Sequence, residues 1–221
     1  MSMGQNIIVL MGPPGCGKGT QAAVLSDLLN IPVISTGAIL RAECESDTPL
    51  GKAVKATLAR GELVSDDVMN QVVASWIAHP HCKNGFLLDG YPRTVPQALF
   101  LDDTLDGLEM PRPTVIQIDV SDQVLVDRIK GRRQCPSCGK IYHLRHHPPA
   151  HNGSCDRDGM ALMRRSDDTE AVIQERLRRY EEATAPLIEY YREMDFHIVD
   201  GSDNPAMVLE AIEAALGLPV W

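Results

Sequence analysis

Two short stretches carry residues that could share one ion. "CPSCGK" supplies Cys135 and Cys138, "CDRDG" supplies Cys155 and Asp158, and sixteen residues separate these two pairs of identical internal spacing. Structural zinc sites are built from such paired knuckles, with thiolates at about 2.3 Å and a carboxylate oxygen, where one replaces sulfur, at about 2.0–2.2 Å. Three sulfurs and one oxygen fill a tetrahedron and leave no position for water, so the expected role is structural. His143, between the pairs, is the rival fourth donor, and a set of this mixed softness also admits iron or cobalt. His146, His147 and His151 read as exposed residues of the same loop.

A second stretch, "GPPGCGKGT", spans Gly12 to Thr20 and fits G-x-x-x-x-G-K, with Gly19 interposed before Thr20 where the general pattern has Ser or Thr directly. Gly12, Gly15 and Gly17 let successive backbone N–H groups curl around phosphate oxygens. The following helix offers its positive N-terminus, and Lys18 reaches the terminal phosphates. Cys16 reads as a small residue tolerated in the loop, in a place where a helix N-terminus and Lys18 would also favour a thiolate. A loop of this kind binds a nucleoside triphosphate. It does not say what becomes of the phosphate.

Charge narrows the choice. The 221-residue chain carries a formal net charge of −9, yet between Arg128 and Arg165 nine Lys and Arg face two Asp and no Glu. An acidic protein with one basic segment is a poor general nucleic-acid binder and a good landing site for a compact polyanion. A single tyrosine, Tyr142, is the only Phe, Tyr or Trp among those basic residues, which counts further against a nucleic-acid groove. The opening apolar run "IIVLM" is too short for a signal segment or a membrane span, so a cytoplasmic protein with no membrane partner is expected. Six cysteines in that setting point to thiols or metal ligands rather than disulfides.

The elements that must position these residues are legible as runs. "NIIVLM", "IPVIS", "GFLLD", "TVIQIDV" and "FHIVD" are short apolar stretches, each followed by a turn and a helical pattern. Five such strands alternating with helices predict an α/β fold, a P-loop-type parallel sheet covered on both faces. Two segments break the alternation, Thr36 to about Asp66 and Arg128 to Arg165, and both read as insertions where strand carboxyl ends meet ligands. From Asp168 to Met194, Ile173, Leu177, Tyr180, Thr184, Leu187 and Tyr191 fall at spacings of four and three, a core-facing helix stripe bent at Pro186 if continuous.

With "STGAILR" (Ser35 to Arg41), "GFLLDGYPRTVPQA" (Gly85 to Ala98), "DRIKGRR" and "RRSDD", the glycine loop makes the chain resemble adenylate kinase along nearly its whole length, of the long-lid, metal-bearing bacterial type. The resemblance implies a core of residues 1–34, 67–126 and 166–221 that binds ATP, an AMP-binding insertion at 35–66 and a lid at 127–165. It implies that Gly12, Gly15, Cys16, Gly17, Lys18, Gly19, Thr20, Arg128 and Arg132 serve ATP. Thr36, Arg41, Arg93, Gln97, Arg165 and Arg176 would serve AMP, with Thr36 and Gln97 on the adenine. Lys18, Arg93, Arg132, Arg165 and Arg176 would act on the transferring phosphoryl group, and Asp89 would hold Mg2+ through water. The implied reaction is ATP plus AMP to two ADP, by a monomer. Rivals are a monophosphate kinase using another donor such as GTP, and, from another class, a P-loop switch or zinc-ribbon nucleic-acid module. Two positions depart from the family pattern: Ala38 replaces a carboxylate, and Ser65 stands where proline is frequent, which leaves that hinge less stiff.

Overall fold

The computed structural model describes residues 6–45 and 49–218. Strands β1 (Asn6–Met11), β2 (Val33–Ser35), β3 (Gly85–Asp89), β4 (Thr114–Asp119) and β7 (Phe196–Asp200) form one parallel sheet in the order β2-β3-β1-β4-β7. These are the five apolar runs read in the sequence. Their continuity has a simple cause: alternate residues of one strand enter opposite cores. Ile7, Val9 and Met11 join Phe86, Leu88, Leu101 and Leu187 on one face, whereas Ile8 and Leu10 join Leu87, Leu25, Ile129 and Ile173 on the other. Each such buried side chain contributes about 1.5–3 kcal/mol relative to exposure.

Helices α1 (Lys18–Leu29), α6 (Asp122–Gly131), α7 (Glu170–Arg179) and α9 (Pro205–Ala215) cover the second face; α4 (Asp66–Ile77), α5 (Val95–Gly107) and α8 (Pro186–Tyr191) cover the first. Between β2 and α4 lie α2 (Thr36–Glu43) and α3 (Pro49–Ala59), and between α6 and α7 lies a two-stranded antiparallel ribbon, β5 (Arg132–Gln134) with β6 (Ile141–His143). Ser35 of β2 and Leu10 of β1 both lie opposite Asp89 of β3, so the strand carboxyl ends form a common edge. The glycine loop and both excursions spring from that edge.

The helix expected across Asp168 to Met194 is not one helix. Tyr180 to Thr184 forms a π-type turn closed by the Ala185 N–H donating to Tyr180 O at 2.9 Å, and α8 restarts with Pro186 at its first position. Proline has no N–H for the carbonyl four residues back and its ring displaces that carbonyl, so the ladder widens ahead of it. The buried stripe survives the break, with Ile173, Leu177, Thr184, Leu187 and Tyr191 all inside. No helix among the described residues is long and apolar enough to cross a membrane.

Candidate active site and metal centre

Between β1 and α1 the chain adopts a path that side chains forbid. Gly12 sits at φ +139°, where a Cβ would come within 2.5 Å of Ile118 O, and Gly15 sits at φ +91°, where a Cβ would meet Ile129 Cγ1 at 2.7 Å. Only glycine fits both the dihedral and the space. The loop therefore wraps tightly against β4 and α6, and α1 opens at Lys18 with no side chain capping its first-turn amides. The Lys18 and Gly19 amides open that helix N-terminus, where backbone N–H groups favour an anion. Lys18 folds back over it, Nζ donating to Gly12 O at 2.6 Å and Pro13 O at 3.0 Å. Thr20 is exposed at the mouth, while Cys16 is 1% exposed and packs beneath the loop, so it acts as filler rather than as an available thiol. Arg128, from α6, donates to Cys16 O at 3.4 Å and to Ser202 O at 3.1 Å, tying the loop to the turn after β7. Asp89 ends β3 beside Gly19, and its Oδ2 accepts the Ser35 hydroxyl at 3.0 Å. Its other oxygen accepts no hydrogen bond among the described residues, which suits a carboxylate that meets a hydrated cation.

Next to the loop, an open cleft is lined by Thr36, Arg41, Arg93, Gln97, Asp167 and Arg176 among others. Thr36 begins α2 and donates to Gly90 O at 2.8 Å, as does Arg93 Nε at 2.8 Å, so both are fixed on the β3–α5 connection. Arg165 and Arg132 enter from the ribbon side, Arg165 Nε donating to Gln134 Oε1 at 2.6 Å.

The electrostatics of this cluster are unfavourable as it stands. Burial, with Arg132 nearby, pushes the Arg41 guanidinium down from its ordinary pKa, and burial with Arg41 nearby does the same to Arg93. For Arg176, burial together with Arg132 and Arg93 pushes the value down to about 10; for Arg165, burial together with Arg132 and Arg41 pushes it down to about 9. Guanidinium groups do not give up their proton in such places; they draw in an anion. Five arginines held together against mutual repulsion are a site for a multiply charged anion.

Two aspartates hold the cluster, and the sequence reading passed over them. Asp168 is fully buried and takes Arg132 in a two-point contact, with Nε to Oδ2 at 2.9 Å and Nη2 to Oδ1. Arg176 Nη1 lies 3.1 Å from Asp167 Oδ2 and 3.7 Å from Asp168 Oδ1. Burial alone would raise the Asp167 carboxyl, but Arg176, Arg165 and Arg41 outweigh it and hold the group below the usual carboxylate range. The available signal was "RRSDD" itself, two acids closing a segment otherwise dominated by bases. Of the two departures noted above, Ala38 is exposed on α2, and Ser65 caps α4 at φ −56°, a value that proline would also take.

The ribbon brings the cysteines together. Turns Cys135–Gly139 and Cys155–Gly159 are each closed by the glycine N–H donating to the cysteine carbonyl, at 3.1 Å and 2.8 Å. Cys138 Sγ lies 3.5 Å from Cys155 Sγ, and Cys135 Sγ lies 3.3 Å from either Asp158 oxygen. Zinc bonds of about 2.3 Å to sulfur and 2.0–2.2 Å to oxygen imply tetrahedral edges of about 3.5–3.8 Å, so the four donors fit a metal ion with little adjustment. The Met160 amide, outweighing burial, and the neighbouring thiols keep the Asp158 carboxyl down at about 2, hence ionised and ready to ligate. His143 is not part of this group. Its Nδ1 accepts the amides of Arg145 and His146, and its Nε2 lies 3.5 Å from Asp127 O, on the opposite side of the ribbon. The fourth position therefore belongs to Asp158.

Comparison with known proteins agrees with this geometry. The family profile described as "Adenylate kinase" matches residues 10–196. The chain is 48% identical over 213 residues to an adenylate kinase of Symbiobacterium thermophilum, covering 94% of this chain and 99% of that protein. It is 46% identical over 211 residues to one from Moorella thermoacetica, covering 95% and 97%, and 46% identical over 210 residues to one from Methanosarcina acetivorans, again covering 95% and 97%. With a glycine loop, an arginine-lined cleft and a three-cysteine, one-aspartate knuckle on a parallel sheet, the chain belongs to the adenylate kinase family.

Proposed function

We infer that the protein catalyses reversible phosphoryl transfer between ATP and AMP, giving two ADP. The observation that carries this reading is the convergence of Arg41, Arg93, Arg132, Arg165 and Arg176 beside a phosphate loop, since one bound triphosphate does not need a second arginine-lined cleft. Transfer between two anions asks little covalent chemistry of the protein. It asks for neutralised charge, in-line placement and exclusion of water. Lys18, already an ammonium poised over the loop, turns from the Gly12 and Pro13 carbonyls to the donor's terminal phosphates. Arg41 and Arg93 hold the acceptor phosphate, and Arg132, Arg165 and Arg176 surround the group in flight. No general base is required, because the attacking atom is a phosphate oxygen already charged. Asp89 would hold Mg2+ through water, and the ion would supply neutralisation of the donor's phosphate charge. Residues 127–165 act as the lid that keeps water from accepting the phosphoryl group, residues 35–66 as the AMP-binding insertion, and the knuckle as the lid's structural zinc site.

Two substitutions test the division into subsites. Arg93→Ala should raise the KM for AMP roughly 10–100-fold, the value of a hydrogen bond to a charged group. Arg128→Ala should raise the KM for ATP roughly 3–30-fold, the value of a guanidinium stacked on a base. Both are read from initial rates of ADP formation in a coupled assay across donor and acceptor nucleotides. If both variants lose affinity for the same nucleotide, the two-site reading fails; if no pair of nucleotides supports transfer, the reaction itself is wrong.

A further inference from the structure

Gln97 is 2% exposed, and nearly all of its hydrogen-bonding capacity is committed. A glutamine amide has two N–H donors on nitrogen and an oxygen acceptor. Here Oε1 accepts the main-chain N–H of Arg93 at 2.7 Å, and Nε2 donates to Asp66 Oδ1 at 2.7 Å. Asp66 is itself held, because its Oδ2 accepts the Thr94 hydroxyl at 2.8 Å, and Thr94 in turn caps α5 by accepting the Gln97 N–H at 3.3 Å. The main-chain carbonyl of Gln97 is also occupied, by the Tyr91 hydroxyl at 3.1 Å.

This arrangement over-determines which way the amide faces. A main-chain N–H can only donate, so the atom opposite Arg93 N must be oxygen. An ionised carboxylate can only accept, so the atom opposite Asp66 must be nitrogen. A flipped amide would set N–H against N–H and oxygen against oxygen, losing two buried hydrogen bonds at once. Among the described residues the second Nε2 hydrogen has no partner, and Gln97 lines the cleft that also holds Thr36, Arg41 and Arg93. Toward a ligand, then, Gln97 has an N–H to offer, while its oxygen already accepts the Arg93 N–H through one of two lone pairs.

We propose that Asp66 is a positioning residue that holds Gln97 with its remaining N–H presented toward the acceptor base. The site thereby selects a base whose pairing edge carries an unprotonated ring nitrogen, as adenine does at N1, and rejects one with a ring N–H there, as in hypoxanthine and guanine. The proposal rests on the AMP-site reading above. It adds a residue from the start of α4 that touches neither phosphate nor base, and it assigns a polarity to the contact. Rejection follows because a ring N–H would meet the Gln97 N–H head-on, and a site built around one buried hydrogen bond discriminates by leaving it unmade.

The test compares kcat/KM for AMP with that for IMP, using ATP as donor, because IMP differs mainly by carrying N1–H and a carbonyl. Asp66→Ala removes one of the two hydrogen bonds that orient the amide, the one to a carboxylate, and leaves the Arg93 N–H to hold it alone, so it should lower the AMP-to-IMP ratio about tenfold. Asp66→Asn should hold the ratio within about threefold of the parent, since asparagine can still offer oxygen to Gln97 while donating to Thr94. Gln97→Glu alone sets two carboxylates 2.7 Å apart, at the present Gln97 Nε2 to Asp66 Oδ1 separation, and should lower the melting temperature. Adding Asp66→Asn should restore folding and leave a carboxylate lone pair facing the base, moving the ratio furthest toward IMP. An unchanged ratio in folded Asp66→Ala overturns the proposal. Should that variant not fold, an unchanged ratio in the Asp66→Asn, Gln97→Glu pair overturns it instead. Wild-type protein that fails to use AMP at all would overturn the site reading beneath it, an outcome separate from either.

Discussion

Arg176→Ala should lower turnover about 10³-fold or more, with much smaller changes in the KM of either nucleotide. Arg176 lies 3.1 Å from Asp167, and burial with Arg132 and Arg93 beside it disfavours its charge. That cost is relieved when a phosphoryl group spreads negative charge over its equatorial oxygens, and arginines that meet such charge are worth about 10³–10⁵ in rate. The effect is expected in kcat because the interaction strengthens as the bond breaks. Arg176→Lys should recover little, since an ammonium is a point charge and cannot span two oxygens in a plane. Steady-state and single-turnover rates in both directions measure this, with a melting curve to show that the variants are folded. Turnover within tenfold of the parent would remove Arg176 from the transferring group.

Metal removal is the second large effect, and it should fall on the lid while sparing the sheet. The buried hydrophobic core around the knuckle consists of Cys135, Tyr142 and Cys155, with Cys138 and Leu162 packed against it, and each strand of the ribbon has three residues. So small a cluster cannot offset the chain entropy of some thirty residues without the metal. Chelation should therefore abolish amide protection between residues 132 and 163 and depress transfer, while β1, β3 and β4 stay protected. Asp158→Ala should weaken metal affinity by more than the roughly 10–100-fold that follows from losing an outer-shell partner, because it deletes a ligand. Asp158→Cys should keep the metal. Metal analysis and hydrogen exchange are the readouts, and a protein that binds no metal, or whose lid keeps its protection after chelation, would reduce the knuckle to a coincidence of spacing.

What the sequence made legible was whatever is encoded locally. The five strands appear as apolar runs because both faces of a parallel sheet are covered, the loop appears as glycines because side chains collide there, and the knuckle appears as repeated spacing. Relations over long separations stayed hidden. Asp66 meets Gln97 across 31 positions and Asp168 meets Arg132 across 36, and an isolated aspartate in a string of letters looks the same whether it faces water or fixes an amide. The π-type turn at Tyr180–Thr184 escaped for another reason: a proline foretells that a helix is disturbed but not on which side the ladder gives way. Cys16 read first as a small residue tolerated in the loop, and it lies buried among residues distant from it in the chain, such as Ile118 and Ile129.

The strand order carries a consequence for how the enzyme comes into being. β1 lies at the centre of the sheet, yet it is the first of the described strands in the chain, and its partners β3 and β4 begin at Gly85 and Thr114. On a ribosome adding roughly 5–20 residues per second, the interval from Met11 to Asp119 lasts on the order of five to twenty seconds, during which this apolar strand waits for its two neighbours. The phosphate loop is made early as well, but Arg132, Arg165 and Arg176 follow long after it. The loop itself takes shape only against β4 and α6, so the place that holds ATP and the arginines that act on it both wait for the later half of the chain.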